Sequence, residues 1–284
     1  MNALPDRRLN AYRPDLAEDA LRETVDAPRY TAGTPARVSA SVIGLRPRPD
    51  LTAGIDTELL FGETVKVLDR ADGWAWIKAD FDGYVGYLPG TALSENGKPA
   101  THVVAVPRTF AYTGADLRTP PAFPLSLGSR ISVVGESETR GTRYFTLEGG
   151  QSVVANHCAP AERPIADDYV SVALRFLETP YLWGGRSGFG IDCSGLVQLA
   201  MMMTGQKAPR DSDMQANGLG TPIDRSDLRR GDLVFWKGHV AIMEDPETIV
   251  HANGHTMSVA REGLEAAIER IGWLYERPTG YRRP

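Results

Sequence analysis

Three side chains far apart in the chain have the residue types of nucleophilic catalysis: Cys193, His239 and His251. Cys193 lies in Gly188-Phe189-Gly190-Ile191-Asp192-Cys193-Ser194-Gly195, with glycines before it and an apolar helical run behind it. That order predicts a thiol at a helix N-terminus, where aligned peptide dipoles favour the thiolate. A free thiol with a pKa of about 8.5 is only slightly ionised at neutral pH, so a nucleophile needs that placement and an imidazole nearby. A small buried core residue is the commoner role for a lone cysteine. Glycine, aspartate and serine clustered around it have no packing purpose, however, and suit a loop that a substrate backbone approaches.

His239 opens the strand-like run Gly238-His239-Val240-Ala241-Ile242, and His251 ends Thr248-Ile249-Val250-His251. Adjacent antiparallel strands would hold the two rings side by side, one as base and one as its orienter. Taken singly, either could be a satisfied structural histidine. His102, His157 and His255 lack such surroundings. His251 and His255 have the i, i+4 spacing of a helical metal pair, but Asn253-Gly254 between them opposes a helix, so neither metal nor cofactor is expected. Cys158, next to His157, reads as structural.

The elements that must position these groups divide the chain. Residues 1–33 read as an N-terminal arm with one helix over residues 16–25, opened by Pro14-Asp15. Residues 34–96 turn to short β-rich runs, at 38–45, 64–68, 74–79 and 84–88, punctuated by Asp72-Gly73 and Asp82-Gly83, which suggests a small barrel. Residues 97–162 repeat this texture at 103–106, 130–134, 144–147 and 152–155. Phe61-Gly62-Glu63-Thr64-Val65 aligns with Leu127-Gly128-Ser129-Arg130-Ile131 at an offset of 66 residues, as two copies of one barrel would. The second copy has no counterpart of Trp74 and Trp76.

Residues 163–284 change character. Asp167-Asp168 caps a helix with Val170, Ala173, Leu174 and Leu177 on one face. A nearly all-apolar helix runs from Cys193 to a C-cap at Gly205, as a buried central helix should. Strands at 232–236, 240–244 and 248–250 and a helix at 262–271 complete an α+β domain.

Composition sets outer limits. The 284 residues carry 31 Lys+Arg against 36 Asp+Glu, a net charge of -5, with 42% hydrophobic residues. Such a chain builds a core, and its charge disfavours electrostatic capture of nucleic acid or anionic lipid. Two cysteines cannot make a disulfide framework. The longest nearly apolar stretch, residues 196–203, falls short of the roughly 20 residues a bilayer helix needs. The N-terminal arginines have no apolar run behind them, so a cytoplasmic location is expected.

Four motifs then coincide. Pro180-Tyr181-Leu182-Trp183-Gly184-Gly185, Asp192-Cys193-Ser194-Gly195-Leu196-Val197-Gln198, Arg229-Arg230-Gly231-Asp232-Leu233-Val234-Phe235-Trp236 and Gly238-His239-Val240-Ala241-Ile242 occur in order, with His251 in third place. Over residues 165–284 the chain resembles the NlpC-type cysteine peptidases of bacterial cell-wall turnover. The resemblance implies a papain-like fold with Cys193 as nucleophile, His239 as general base and His251 as its orienter. Tyr181 would lie near the nucleophile and help hold the oxyanion, and Asp192 and Ser194 would meet the substrate.

The preceding β-rich stretches resemble the bacterial SH3-like barrels of γ-D-glutamyl-L-diamino acid endopeptidases. This implies two SH3-like barrels before the catalytic domain, the first walling the cleft and selecting peptides with a free N-terminal L-Ala. Asp211 and Ser212 match the segment that binds that end, and Glu63 and Tyr84 are the matching barrel positions. Read without the resemblance, Glu63 is an exposed strand-edge charge and Tyr84 a barrel-core aromatic. The expected activity is hydrolysis of the γ-D-Glu–diaminopimelate bond of released murein peptides in peptidoglycan recycling, by a monomer. The alternatives are a broader amidase or endopeptidase on intact wall, and an inactive SH3-type binding protein, against which the joint presence of Cys193, His239 and His251 counts.

Overall fold

Alternating residues such as Trp74-Ala75-Trp76-Ile77 can bury one face only if neighbouring strands share the core, and the chain supplies them on both sides. In the computed structural model, which describes residues 4–95 and 97–284, Trp74–Ala79 lies between Thr64–Ala71 and Val85–Pro89 in a five-stranded antiparallel sheet. Thr34–Val38 and Leu93–Ser94 complete that sheet, and a hairpin of Val42–Leu45 with Thr57–Leu60 stands against it. Val38, Leu45, Leu59, Val65, Ile77, Tyr84 and Leu88 form the core. The single strand expected over 38–45 is two strands, because the chain turns at residues 39–41.

The expected helix over 16–25 does not form. Ala17–Glu18 is a short strand and Asp19–Leu21 a single 3-10 turn. Tertiary partners override the weak helical face: Leu16 packs with Leu68, Trp76 and Val85, and the amides of Ala17 and Glu18 donate to the carbonyls of Arg29 and Ala11. Glu18, buried, takes Lys78 at 2.6 Å.

A second antiparallel assembly follows, with Pro121–Ser126, Arg108–Tyr112, Ser152–Val154, Thr142–Leu147 and Val133–Thr139 in one sheet and His102–Val104 pairing Arg130–Ile131 and Cys158–Pro160 in another. Its turns repeat those of the first. Val38 N to Glu63 O, Gly62 N to Val38 O and Phe61 N to Ser41 O recur 66 residues on as Val104 N to Ser129 O, Gly128 N to Val104 O and Leu127 N to Pro107 O. Even the side-chain bond recurs: Leu60 N donates to Glu63 Oε2, and Ser126 N donates to Ser129 Oγ. Gly62 has a φ of +79°, and a Cβ there would lie 1.8 Å from the Arg130 carbonyl oxygen, so only glycine fits this turn.

The chain forms two compact units, the first ending at Ala161 and the second running Glu162–Pro284. In the second, α1 (Tyr169–Leu174) is capped by Asp168, whose carboxylate accepts from Val170 N and Ser171 N. It stops a turn earlier than the apolar spacing suggested. The central helix α2 (Cys193–Met203) is buried almost throughout and closes at Gly205, φ +77°. A short helix, α3 (Ser212–Gly218), precedes a six-stranded sheet in the order Thr221–Pro222, Gly280–Arg283, Leu233–Trp236, His239–Met243, Thr248–Asn253 and Ser258–Gly263. The last helix, α4 (Leu264–Leu274), lays Leu264, Ala267, Ile268 and Ile271 on the face carrying Val234, Trp236, Ala241, Met243 and Ile249. The helix expected over 262–271 forms two residues later as α4, and residues 258–263, where no element was expected before 262, are an edge strand. Among the described residues no helix is long and apolar enough to cross a membrane.

Candidate active site

Cys193 is the first residue of α2, and the loop before it is riveted by a buried ion pair. Asp192 caps the helix by accepting from Gly195 N at 2.7 Å, and also accepts from Gly184 N at 2.9 Å. Arg210, 1% exposed, donates Nη1 to Asp192 Oδ1 at 3.0 Å and Nη2 to Oδ2 at 2.7 Å, and reaches Ser194 Oγ at 3.0 Å. Gln215 of α3 donates to the Ser194 and Pro209 carbonyls. A Cβ on Gly195 would come 2.3 Å from the Gly185 carbonyl oxygen, which explains a glycine two residues after the nucleophile.

Burial pushes the Cys193 thiol up to about 12, with the Asp192 charge adding to the effect. The amides of Val240 and Ser194 and the charge of Arg210 oppose it. The helix terminus therefore does not by itself make a resting thiolate, and deprotonation must be coupled to a base.

That base stands at the start of the strand that supplies the Val240 amide. His239 Nε2 lies 2.9 Å from His251 Nδ1, across neighbouring antiparallel strands. Trp236, opposite His239 in the sheet, places its ring 5.6 Å from the imidazole. Burial lowers the His239 pKa to about 3, His251 and Arg270 push the same way, and Glu262 opposes. His251 is 1% exposed and sits within its strand rather than at its end.

Behind His251 is a pair that the sequence reading missed. Glu262 Oε2 stands 3.2 Å from His251 Nε2, off the line of a well-directed hydrogen bond. Arg270 of α4 holds the same carboxylate in a fork, Nε to Oε1 at 2.9 Å and Nη2 to Oε2 at 2.6 Å. Despite burial, Arg270 and His251 lower the Glu262 pKa to about 2. Reading 258–263 as a strand would have found it: Ala260 pairs with His251, so Glu262, two residues on, returns to the same face.

The other expected site residues fall into two groups. Tyr181 is half-buried, and burial, then the nearby Cys193 and Asp192, raise its pKa, which places its hydroxyl in the nucleophile's surroundings. Asp211 and Ser212, both half-buried, follow Arg210 directly at the start of α3. Asp192 and Ser194 are brought to the nucleophile, with their side chains bonded to Arg210 and to each other. In the first unit, Tyr84 belongs to the barrel core, and Glu63 is buried, not an exposed edge charge, with its carboxylate capping its own turn at Leu60 N.

Remaining histidines and the second cysteine serve local packing. His102 lies against Phe145, His157 Nδ1 bonds Thr109 Oγ1 at 2.7 Å, and burial pushes Cys158 up to about 12. His255 follows the turn at Asn253, whose side chain accepts the His255 and Thr256 amides. Among the described residues no group of three or more His, Cys, Asp or Glu is arranged to hold a metal.

These pKa shifts have a consequence for stability. His239 titrates near 6.5 when unfolded and about 3 when folded, and Glu262 near 4.5 and about 2. Both make the unfolded chain bind more protons in acid, so stability is full above pH 6.5. It is lost as pH falls from there, with Glu262 adding below 4.5, at about 1.4 kcal/mol per pH unit for each proton. Urea unfolding between neutral pH and about pH 4 is expected to give this falling curve, shallower in His239→Gln. A flat curve would contradict the lowered pKa of the half-buried imidazole.

A buried thiol opening a helix, met by the strand of an imidazole that a second imidazole backs, defines a cysteine peptidase of α+β architecture. Residues 178–269 match the NlpC/P60 family and residues 45–93 the bacterial dipeptidyl-peptidase SH3 domain. The chain carries an NlpC/P60 cysteine peptidase domain preceded by an SH3-like domain. It is 27% identical to a gamma-D-glutamyl-L-lysine dipeptidyl-peptidase of Bacillus cereus, over 70% of this chain and 67% of that protein. It is also 27% identical to dipeptidyl-peptidase 6 of Lysinibacillus sphaericus, over 84% of this chain and 99% of that one. The crystal structure of an NlpC/P60 family protein from Bacillus cereus shares the fold at a TM-score of 0.74, with 24% identity over 88% of this chain and 99% of that chain.

Proposed function

We propose that this peptidase hydrolyses peptidoglycan-derived peptides at the bond between γ-D-glutamate and the following diamino acid, when L-Ala precedes with a free amine. The observation that carries the chemistry is the 2.9 Å contact of His239 with His251 beside the Val240 amide that meets the Cys193 sulfur. The names of the relatives support the bond. In the reaction the Cys193 S–H proton passes to His239 as sulfur attacks the γ-carbonyl carbon. Backbone N–H groups at the start of α2 and the Tyr181 hydroxyl meet the oxyanion. His239 then returns the proton to the departing amine of the diamino acid, and water, deprotonated by the same imidazole, hydrolyses the thioester.

Asp211 and Ser212, held next to the nucleophile's loop by Arg210, are the groups we assign to the substrate ammonium, which needs acceptors where water is excluded. The repeated turn bonds support reading residues 97–162 as a second copy of the SH3-like barrel. In intact wall the L-Ala nitrogen is acylated, so a free-amine enzyme acts after the amide-cleaving reaction that releases the peptide. That order favours recycling over wall remodelling.

Incubation with L-Ala-γ-D-Glu-meso-diaminopimelate, its L-Lys analogue and an N-acetylated version, read by mass spectrometry, tests the proposal. Cleavage of the free-amine peptides at the γ-glutamyl bond alone is expected. Equal cleavage of the blocked peptide would remove the ammonium selection and favour a broader wall endopeptidase. No cleavage at all, with wild type and Cys193→Ala alike, would favour a binding protein. Iodoacetamide is expected to abolish the activity and a chelator to leave it, and loss in chelator would overturn the thiol mechanism.

A further inference from the structure

We infer that Glu262 is a positioning residue of the hydrolytic site: its carboxylate, clamped by Arg270, holds the proton of His251 on Nε2, so that His251 Nδ1 is free to accept from His239. The inference deepens the cysteine-peptidase reading and rests on it.

The argument is one of proton bookkeeping along the file Cys193, His239, His251, Glu262, Arg270. His239 Nε2 is engaged by His251 Nδ1 at 2.9 Å, which leaves His239 Nδ1 as the nitrogen that can take the proton from Cys193. For Nδ1 to be empty in neutral His239, its proton must sit on Nε2 and be donated to His251 Nδ1. His251 must then carry its own proton on Nε2. If His251 instead protonates Nδ1, it donates to His239 Nε2, the His239 proton moves to Nδ1, and the base is filled before the reaction starts.

The two tautomers of His251 are separated by what faces Nε2. That nitrogen is buried and has no well-directed hydrogen bond, and Glu262 Oε2 stands 3.2 Å away. An ionised carboxylate has only acceptors, so at this distance it favours N–H over a lone pair at Nε2. Arg270 keeps the carboxylate ionised and in place through two hydrogen bonds of 2.9 and 2.6 Å.

The same pair bears on the charge that His239 acquires when it takes the thiol proton. The Trp236 ring and His251 lie against the imidazole, and of the charged groups that act on it Glu262 favours the imidazolium while Arg270 and His251 oppose it. The two halves of the Glu262–Arg270 pair thus act on the thiolate–imidazolium state in opposite directions. A pair that merely fastened the edge strand to α4 would give two variants that fail alike.

The test uses the full chain with Cys158→Ala, in which Cys193 is the remaining thiol. Glu262→Gln keeps the shape but can present an amide N–H to Nε2, favouring the wrong tautomer. On the cleaved peptide, Glu262→Gln is expected to lower kcat about 10²- to 10⁴-fold with KM within about twofold. Alkylation of Cys193 by iodoacetamide at neutral pH is expected to slow about tenfold in Glu262→Gln and to speed up in Arg270→Gln, with the acid limb of the rate profile moving to lower and higher pH respectively. Alkylation needs no substrate, so a wild type that fails to cleave the peptide sinks the proposed function while this readout still decides the present inference. Nitrogen-15 spectra of wild-type imidazoles, which require no variant to fold, are expected to place the His251 proton on Nε2. A proton on Nδ1, or parallel changes in both variants with unmoved pH limbs and lowered melting temperatures, would overturn it.

Discussion

Cys193→Ala is expected to lower kcat by about 10⁴- to 10⁶-fold, the range found when the nucleophile of a cooperating catalytic set is removed. The reason for so large a loss is that no neighbour can take over. His239 and His251 are committed to each other at 2.9 Å, Ser194 Oγ is turned to Asp192 and Arg210, and Cys158 lies in the other unit. The fold is expected to survive, because one buried sulfur at the first turn of α2 is a small loss of about 1 kcal/mol. Steady-state hydrolysis beside a thermal melt checks both halves. Residual activity within tenfold of wild type would remove Cys193 from the nucleophile's role. Cys193→Ser is expected to fall nearly as far, since a hydroxyl is harder to ionise than a thiol in a site whose burial already raises the thiol to about 12.

Breaking the Asp192–Arg210 pair is expected to have the largest effect on stability. Arg210 is 1% exposed, and its guanidinium is matched to both oxygens of Asp192 at 3.0 and 2.7 Å. Removing either member alone takes away a buried bidentate ion pair, which costs about 3–5 kcal/mol. In Asp192→Ala the helix cap on Gly195 N goes as well, for about 1 kcal/mol more. Arg210→Met and Asp192→Ala are each expected to lower the melting temperature by about 10 °C or more. The double variant should lose clearly less than the sum of the two, since the second change comes after the Asp192–Arg210 ion pair is already gone. Urea unfolding of the four proteins gives the cycle. If Asp192→Ala melts like wild type and raises KM instead, Asp192 is a substrate contact, as the resemblance suggested, and not a strut.

Much of the site was legible because its signals are local. Glycines and a capping aspartate before an apolar run specify a helix start whatever surrounds it, and α2 begins at Cys193. His239 and His251 sit on strands with short connections, so their pairing follows from a hairpin path. The misreadings occurred where a distant partner outweighed a local preference. Residues 16–25 had the caps of a helix, but Trp76 and Lys78, far along the chain, took Leu16 and Glu18 into strand and turn. Residues 258–261 suggested no element, yet the sheet edge at Thr248–Asn253 offered 258–263 a full ladder of hydrogen bonds.

The sequence by itself determined the chemistry: a thiol opening a helix, two imidazoles on neighbouring strands, and acidic and hydroxyl groups on the segment after Pro209. Residue type and spacing suffice for that, because caps, turns and strand alternation act over a few residues. Tertiary structure alone decided the environment of the reactive groups, burying Cys193 and half-burying His239, which pushes the thiol up and the imidazole down. It also decided which charges are struts, setting Arg210 against Asp192 and Arg270 against Glu262. Dielectric environment and ion pairing depend on which distant segments meet, and no local pattern in the chain encodes that.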